Sequence, residues 1–282
     1  MRSKKFYDDI AMSGSVFIID TFTAVPFHGN PTAVCFADNG ANSNELLSIA
    51  TELNLPVTAF IIKTGSKEEF RIRYFTSTTE IPACGHATLA AARLLFEEHS
   101  GEALYFTTIH NIKIKAVWEN GIVWLRYPVY TIKEYKPEKE LIKSFGLTRY
   151  LSAGICVELE TLFIELEDAK TLKAVNPDYT LLIKSNTAIK EVVIHSVSDD
   201  SRYDFMLRSF CPWIGIDEDP VTGSVHSVLA GFWQARLGKE MLTAYQASSR
   251  GGEVFVKSFK DSVELGGKSV IVLKGEWNNK ID

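Results

Sequence analysis

Hydrophobic and polar positions along the chain alternate mostly with the period of strands. Val16 to Phe22 is an apolar run broken only by Asp20 and predicts a buried strand. Pro26 to Pro31 (PFHGNP) carries turn chemistry, and Thr32 to Ala37 reads as a second strand. Ser43 is placed as the N-cap of a helix reaching Leu53, with Leu46, Leu47, Ala50 and Leu53 on one face. Val57 to Lys63 is strand-like. In the next strand Phe70, Ile72 and Tyr74 point one way while Arg71 and Arg73 point the other. After a loop from Thr76 to Cys84, a long helix opens at Gly85 and runs to about Glu98. Strands follow at Ala103–Ile109, Ile112–Trp118 and Ile122–Tyr127.

A second half begins near Pro128. It predicts a helix around Glu138–Phe145, strands at Gly154–Val157 and Leu162–Leu166, and short helical pieces between Leu172 and Lys184. Strands at Glu191–His195 and Tyr203–Phe210 lead through a loop, Cys211 to Thr222, into a helix from Gly223 to about Leu237. The end is strand-rich: Leu242–Gln246, Glu253–Val256 and Val270–Leu273. The expected domains are 14–128 and 129–282, with the last segment free to return to the first half. Residues 1–13 read as a polar, partly disordered leader.

Composition narrows the class. With 282 residues, 46% hydrophobic, the chain is long enough for one large core or two smaller ones. A net charge of −5 and the lack of a basic run argue against nucleic acid as a partner. No apolar run approaches the ~18 residues of a membrane span. Cys35, Cys84, Cys156 and Cys211 are scattered without a C-x-x-C pair, so no structural zinc is expected. Met1 to Asp9 is charged and lacks the apolar segment of a secretory signal, so reduced thiols in the cytoplasm are expected.

The two loop-to-helix passages resemble each other. Phe75 is followed by Pro82-Ala83-Cys84-Gly85-His86, and Phe210 by Pro220-Val221-Thr222-Gly223-Ser224. Both read P-x-x-G-[H/S], both precede an apolar helix, and they lie about half the chain apart. Unpaired N–H groups and a partial positive charge mark a helix N-terminus, and glycine allows close approach to them. Two such starts facing one another would hold a small carboxylate or stabilise an enolate-like charge. The plainer alternative is that each glycine only starts a helix. Asp219 could orient or protonate a ligand, or merely cap its loop. His86 could switch protonation near neutral pH and donate to an oxyanion, or be satisfied by nearby backbone. Ser224 could hold a carboxylate or cap its own turn.

These residues carry a family resemblance. The chain resembles the phenazine-biosynthesis PhzF-like family of the diaminopimelate epimerase and proline racemase superfamily. The resemblance rests on Ile19-Asp20-Thr21-Phe22, Gly29-Asn30-Pro31, Arg71–Phe75 leading to Cys84-Gly85-His86-Ala87-Thr88, and Asp217-Glu218-Asp219-Pro220-Val221-Thr222-Gly223-Ser224. It implies an α+β, diaminopimelate epimerase-like fold of two pseudo-symmetric halves, each a β-barrel-like sheet around a central helix. It further implies an active site in the cleft between them, no cofactor, no metal, and a homodimer. The implied activity is a biosynthetic isomerase or epimerase moving a proton on a small carboxylic acid. Asp219 and His86 fall on catalytic positions, and Gly85, Gly223 and Ser224 on substrate-binding positions.

One position departs from that pattern. The family's proton-transfer glutamate lies in a motif of the form N-L-S-E-T-[AT]-F, whereas this chain reads Asn54-Leu55-Pro56-Val57-Thr58-Ala59-Phe60. Valine carries no proton, and an acid/base carboxylate contributes ~10²–10⁴ in rate. Three accounts follow. Asp219, His86, Cys84 or Glu80 could do the work, the reaction could differ, or the protein could bind a ligand without turnover. Cys84 sits where racemase relatives carry one of two thiols, which frames a one-thiol racemase reading. Its counterpart is Thr222, so Cys84 is also explained as a small residue in a tight turn. Glu80 is read as anchoring the loop by accepting backbone N–H bonds rather than as catalytic.

Overall fold

In the first half a strand-rich stretch surrounds one helix that carries almost no polar face. The computed structural model describes residues 14–97, 101–185 and 188–277; the polar leader and the predicted helix terminus at Glu98 lie outside them. The elements are β1 (Ser15–Thr21), β2 (Asn30–Phe36), α1 (Ser43–Leu53), β3 (Val57–Lys63), β4 (Glu69–Phe75), β5 (Glu80–Ile81) and α2 (Gly85–Phe96). β6 (Ala103–Thr108), β7 (Lys113–Glu119) and β8 (Ile122–Pro128) follow, and the last strand, β18 (Ser269–Glu276), pairs antiparallel with β1. Ala87 through Ala92 are all buried, so α2 is enclosed and packs against β1, β2, β3, β7 and β18. α1 covers the opposite face of the sheet, where Leu46 and Ala50 meet Cys35, Phe60 and Phe75.

The elements of the second half are β9 (Lys133–Glu134), α3 (Lys139–Ser144), β10 (Ser152–Cys156), β11 (Thr161–Glu165), α4 (Ala169–Ala174), α5 (Tyr179–Ser185) and β12 (Glu191–Val197). They continue with β13 (Phe205–Cys211), β14 (Ile216–Asp219), α6 (His226–Leu237), β15 (Met241–Gln246), β16 (Gly252–Ser258) and β17 (Ser262–Gly267). On one sheet face Leu162, Ile164, Val192, Ile194, Met206 and Phe210 pack against Leu141 and Phe145 of the α3 region, Leu172 of α4 and Leu182 of α5. On the other, Phe205 stacks on Trp233 of α6 at 5.4 Å, and His195 meets Phe232 and Trp233 edge-on. The chain divides into two compact units, Tyr127–Leu265 and the residues before and after it.

Strand pairing shows that the two units are copies. In the first, β1–β2 is antiparallel, β2–β3 parallel, β3–β4 and β4–β5 antiparallel, β4–β6 parallel and β6–β7 antiparallel. In the second, β10–β11, β11–β12, β12–β13, β13–β14, β13–β15 and β15–β16 repeat the same senses in the same order. Each copy is an α+β sheet wrapped about its own central helix.

Three local expectations need correction. The cap of α1 is Asn42, whose Oδ1 accepts from Asn44 N at 2.9 Å; the Ser43 hydroxyl is taken instead by Arg73 at 2.6 Å. The segment Cys211–Thr222 is not all loop, because a 3₁₀ turn (Pro212–Ile214) and β14 interrupt it. α6 proper starts at His226, not Gly223. His226 N, Ser227 N and Val228 N bond three residues back, to Gly223, Ser224 and Val225, so the first turn is wound tighter than an α-helix. β17 went unread in the sequence.

Candidate active site

In the first unit, Cys84 is the N-cap of α2, extended at φ −151° and ψ 116°, with no side-chain cap bond. Its carbonyl accepts from the Thr88 hydroxyl at 2.7 Å, and that hydroxyl meets the Tyr74 hydroxyl at 2.6 Å. The start of the helix is therefore tied to β4. Gly85 and His86 form the first turn. Cys84 Sγ lies 3.5 Å from His86 Nδ1, so the thiol and the imidazole are side by side and half-buried.

Glu80 takes a different role from the one expected. Its carboxylate accepts from Arg73 in a two-pronged pair, Nε to Oε1 at 2.8 Å and Nη2 to Oε2 at 2.7 Å, rather than from backbone N–H groups. A charged planar fork outcompetes neutral amides for a carboxylate. Arg73 also donates to Ala41 O and lies over the Phe75 ring. Glu80 thus fastens β5 to β4 on the sheet face away from α2.

The second unit builds the equivalent place with more polar groups. Asp219 ends β14 opposite Ser209 of β13, and its Oδ2 accepts from the Thr222 hydroxyl at 2.5 Å. Buried Gln246 pins the loop on both sides, donating to Asp219 O at 2.7 Å and accepting from Thr222 N at 2.8 Å. Ser248 donates to Pro220 O. Gly223 and Ser224 then begin the tight turn. Four residues after Thr222, the buried His226 meets Thr222 O through Nδ1 at 2.9 Å, as Thr88 meets Cys84 O in the first unit. Burial pushes the His226 imidazolium down to about 4 against the pull of those carbonyls.

The copy extends to the clamp. Arg208 and Glu218 repeat the two-pronged pair at 2.7 and 2.8 Å, and Arg208 lies over Phe210 as Arg73 lies over Phe75. Arg208 also donates to Val175 O. Motif reading passed over Arg208, Glu218 and Gln246. The R-x-F at the end of each strand and the E-x-P after it would have revealed the clamps.

Motif reading also missed Glu191, at the start of β12. Its carboxylate accepts from Thr161 at 3.0 Å and from the Ser209 hydroxyl. The residue is partly exposed, yet the packing around its carboxyl group, then the charge of Asp219, pushes it up to about 7, although both hydroxyls favour the ionised form. Register shows what it corresponds to. Val57 pairs with Thr32 and its neighbour Thr58 with Phe75; Glu191 pairs with Thr161 and its neighbour Val192 with Phe210. Glu191 is therefore the copy of Val57, and Thr161 the copy of Thr32.

Two duplicated α+β units, each a sheet around a helix that follows a P-x-x-G turn, define the fold class of the epimerases and racemases. A probable proline racemase from Agrobacterium radiobacter shares this fold at a TM-score of 0.57, with 9% identity and 95% of this chain and 93% of that one covered. Within that class, the chain belongs to the phenazine biosynthesis-like (PhzC-PhzF) family, which it matches over residues 19–275. A PhzF-family crystal structure from Enterococcus faecalis is similar at a TM-score of 0.88 and 32% identity, covering 95% of this chain and all of that one. A Halalkalibacterium halodurans protein named as an uncharacterized isomerase is 35% identical, with 94% of this chain and 98% of the relative covered. No helix among the described residues is long and apolar enough to cross a membrane.

Proposed function

We propose that this chain is a cofactor-independent isomerase or epimerase that moves a proton on a small carboxylic acid. Asp219 and His86 act as the acid/base groups, and Gly85, Gly223 and Ser224 hold the substrate. A homodimer in the cytoplasm is the expected setting. The observation that carries this reading is the fixing of Asp219 at the end of β14, where its carboxylate is held by Thr222 and its backbone by Gln246. A base with its reorganisation already done is what abstraction from carbon needs. The C–H bond breaks and its proton goes to a carboxylate. The electron pair spreads into the substrate's carboxyl group as an enediolate, which backbone N–H groups stabilise. The proton then returns to the other face or to a conjugated carbon, so the enzyme ends unchanged.

Two other readings have observations in their favour. Val57 is buried and apolar where the family carries its glutamate, which supports a homologue that binds without turnover. Cys84 beside His86 supports a one-thiol racemase, since an adjacent imidazole can take the thiol proton.

Incubation in D₂O with a panel of amino, hydroxy and unsaturated cyclic acids, read by NMR, separates the three. Deuterium uptake at carbon that is lost in Asp219→Asn supports the proposal. Loss in Cys84→Ser with retention in Asp219→Asn selects the thiol. Binding of panel acids without uptake by any of them sinks both catalytic readings.

A further inference from the structure

The duplicated sheet carries the same position twice with opposite chemistry. In the first unit Val57 and Ile81 occupy it, opposite Thr32 and Tyr74. In the second, Glu191 and Asp219 occupy it, opposite Thr161 and Ser209. Strand alternation puts Glu191, Ser209 and Asp219 on the face that carries α6, because His195 and Phe205 of the same alternation meet that helix.

The first unit bears the mark of the difference. The Thr32 hydroxyl is fully buried and has no hydrogen-bond partner among the described residues, while its copy, Thr161, is bonded to Glu191. Ser15, Thr58, Ser258 and Ser269 also carry buried hydroxyl oxygens without a partner among the described residues, so the comparison rests on register: Thr32 and Thr161 are copies, and of the two Thr161 meets a carboxylate. The site next to Val57 has the threonine of a threonine–carboxylate pair, and only the second unit has the carboxylate.

We propose that Glu191 is a positioning residue of the proton-transfer site, holding the one proton of a Glu191–Asp219 carboxyl pair so that Asp219 carries the pair's single negative charge. This deepens the proton-transfer reading above and rests on it.

Three observations support the division of labour. Among the described residues Glu191 is bonded to the hydroxyls of Thr161 and Ser209 and to no cation; the Thr161 hydroxyl also has Leu159 O at 2.9 Å to donate to, which leaves its oxygen to accept the Glu191 proton. The titratable groups acting on it are Asp219 of β14 and the Cys211 thiol of β13, both of which add negative charge if ionised. Cys211 stays protonated, because burial pushes its thiol far up. Asp219, held by the Thr222 hydroxyl and by Gln246, is the member of the pair left to take the substrate's proton. Above neutrality Glu191 ionises as well, and a second negative charge disfavours an anionic substrate at Asp219. The proton on Glu191 is not consumed in the reaction.

The test uses the full chain with ¹³C-labelled carboxyl side chains. Wild-type Glu191 is expected to titrate near pH 7, and Asp219→Asn to lower that midpoint. A midpoint in the ordinary glutamate range of about 4, or one unmoved by Asp219→Asn, overturns the proposal without any substrate. Should Asp219→Asn fail to fold, Thr161→Val replaces it. Removing the Thr161 hydroxyl takes away a hydrogen-bond partner of Glu191 and moves the midpoint, and an unchanged midpoint overturns the pairing.

With any acid that shows deuterium uptake, the wild-type rate should fall about tenfold between about pH 6 and about pH 8, as expected for one ionisation between them. In Glu191→Gln the fall should flatten to less than about twofold. A full fall retained in Glu191→Gln overturns the role of Glu191 and leaves the proton-transfer reading standing. If no acid takes up deuterium the proton-transfer reading fails, and the carboxyl titration alone decides whether Glu191 holds the proton of the pair.

Discussion

Replacing Glu218 by glutamine is expected to loosen the strand that carries Asp219. The wild-type carboxylate accepts from Arg208 at 2.7 and 2.8 Å, and the two side chains are only 12% and 17% exposed. Coulomb attraction at about 4 Å and an effective dielectric near 20 is about 4 kcal/mol. Desolvation offsets part of this, the substituted amide would keep one hydrogen bond, and Arg208 would keep Val175 O and the Phe210 ring. A net loss of about 2 kcal/mol remains. The first unit offers a replicate, since Arg73 and Glu80 form the same pair at 11% and 21% exposure, so Glu80→Gln should cost about the same. The surface offers the control: Arg149 and Glu167 are paired at 2.7 Å but 83% and 58% exposed, so Glu167→Gln should cost less than about 0.5 kcal/mol. Urea unfolding of the three variants measures all of this, with the slope m held equal. If Glu218→Gln and Glu80→Gln cost no more than Glu167→Gln, the clamps are not structural and the reasoning fails.

Gly29→Ala should cost at least about 3 kcal/mol, because Gly29 sits at φ +67° and a Cβ there would lie 2.0 Å from Thr21 O, a backbone atom. Gly40→Ala, with nothing within 4 Å of its Cβ, should change stability by less than about 0.5 kcal/mol in the same thermal unfolding series. The fold should also be acid-labile. Burial holds His195 down at about 3 and His226 down at about 4, so the unfolded chain binds more protons and stability falls as pH drops below about 6.5. Glu191, raised to about 7, acts in the opposite sense: its contribution is complete below about 4.3 and is lost as pH rises through about 7. Between about pH 6.5 and about 4.5 these three groups together should cost about 2–3 kcal/mol, and Glu191→Gln should make the loss steeper; a flat profile in denaturant titrations would contradict the burial of the histidines. Val57→Glu should give a folded protein whose new carboxylate is hydrogen-bonded by Thr32, as Thr161 bonds Glu191. An upfield, unbonded Thr32 hydroxyl in its NMR spectrum would refute the equivalence of the two positions.

The strands and both central helices were legible because their signals are local. Alternation along Phe70–Phe75 put Arg73 on the opposite face from Tyr74, and the structure shows Arg73 bound to Glu80 and Tyr74 to Thr88 of α2. The repeat around Gly85 and Gly223 was legible for the same reason. Where α6 begins was not, since the P-x-x-G motif is compatible with either an α or a tighter first turn. The partner of Glu80 was not legible either. A carboxylate in a loop reads as an acceptor for whatever donor folding delivers, and Arg73 arrives from seven residues upstream through strand pairing. Gln246 is further still from Asp219 in sequence, and no short motif joins them.

Glu191 shows why a position can be read in one half and missed in the other. Val57 draws notice because a family motif surrounds it, while Glu191 stands in Lys190-Glu191-Val192-Val193 with nothing to mark it beyond a charge at a strand end. Only register makes the two comparable, and register belongs to the paired sheet rather than to either segment. Once paired, the two copies explain each other. Thr161 and Thr32 are the same residue in the same place, one bonded to a carboxylate and one facing a valine. A duplicated fold needs only one chemically competent copy of a position, provided the other copy is filled well enough to fold. Valine fills it, being 5% exposed in the core, and the Thr32 hydroxyl beside it has no partner among the described residues.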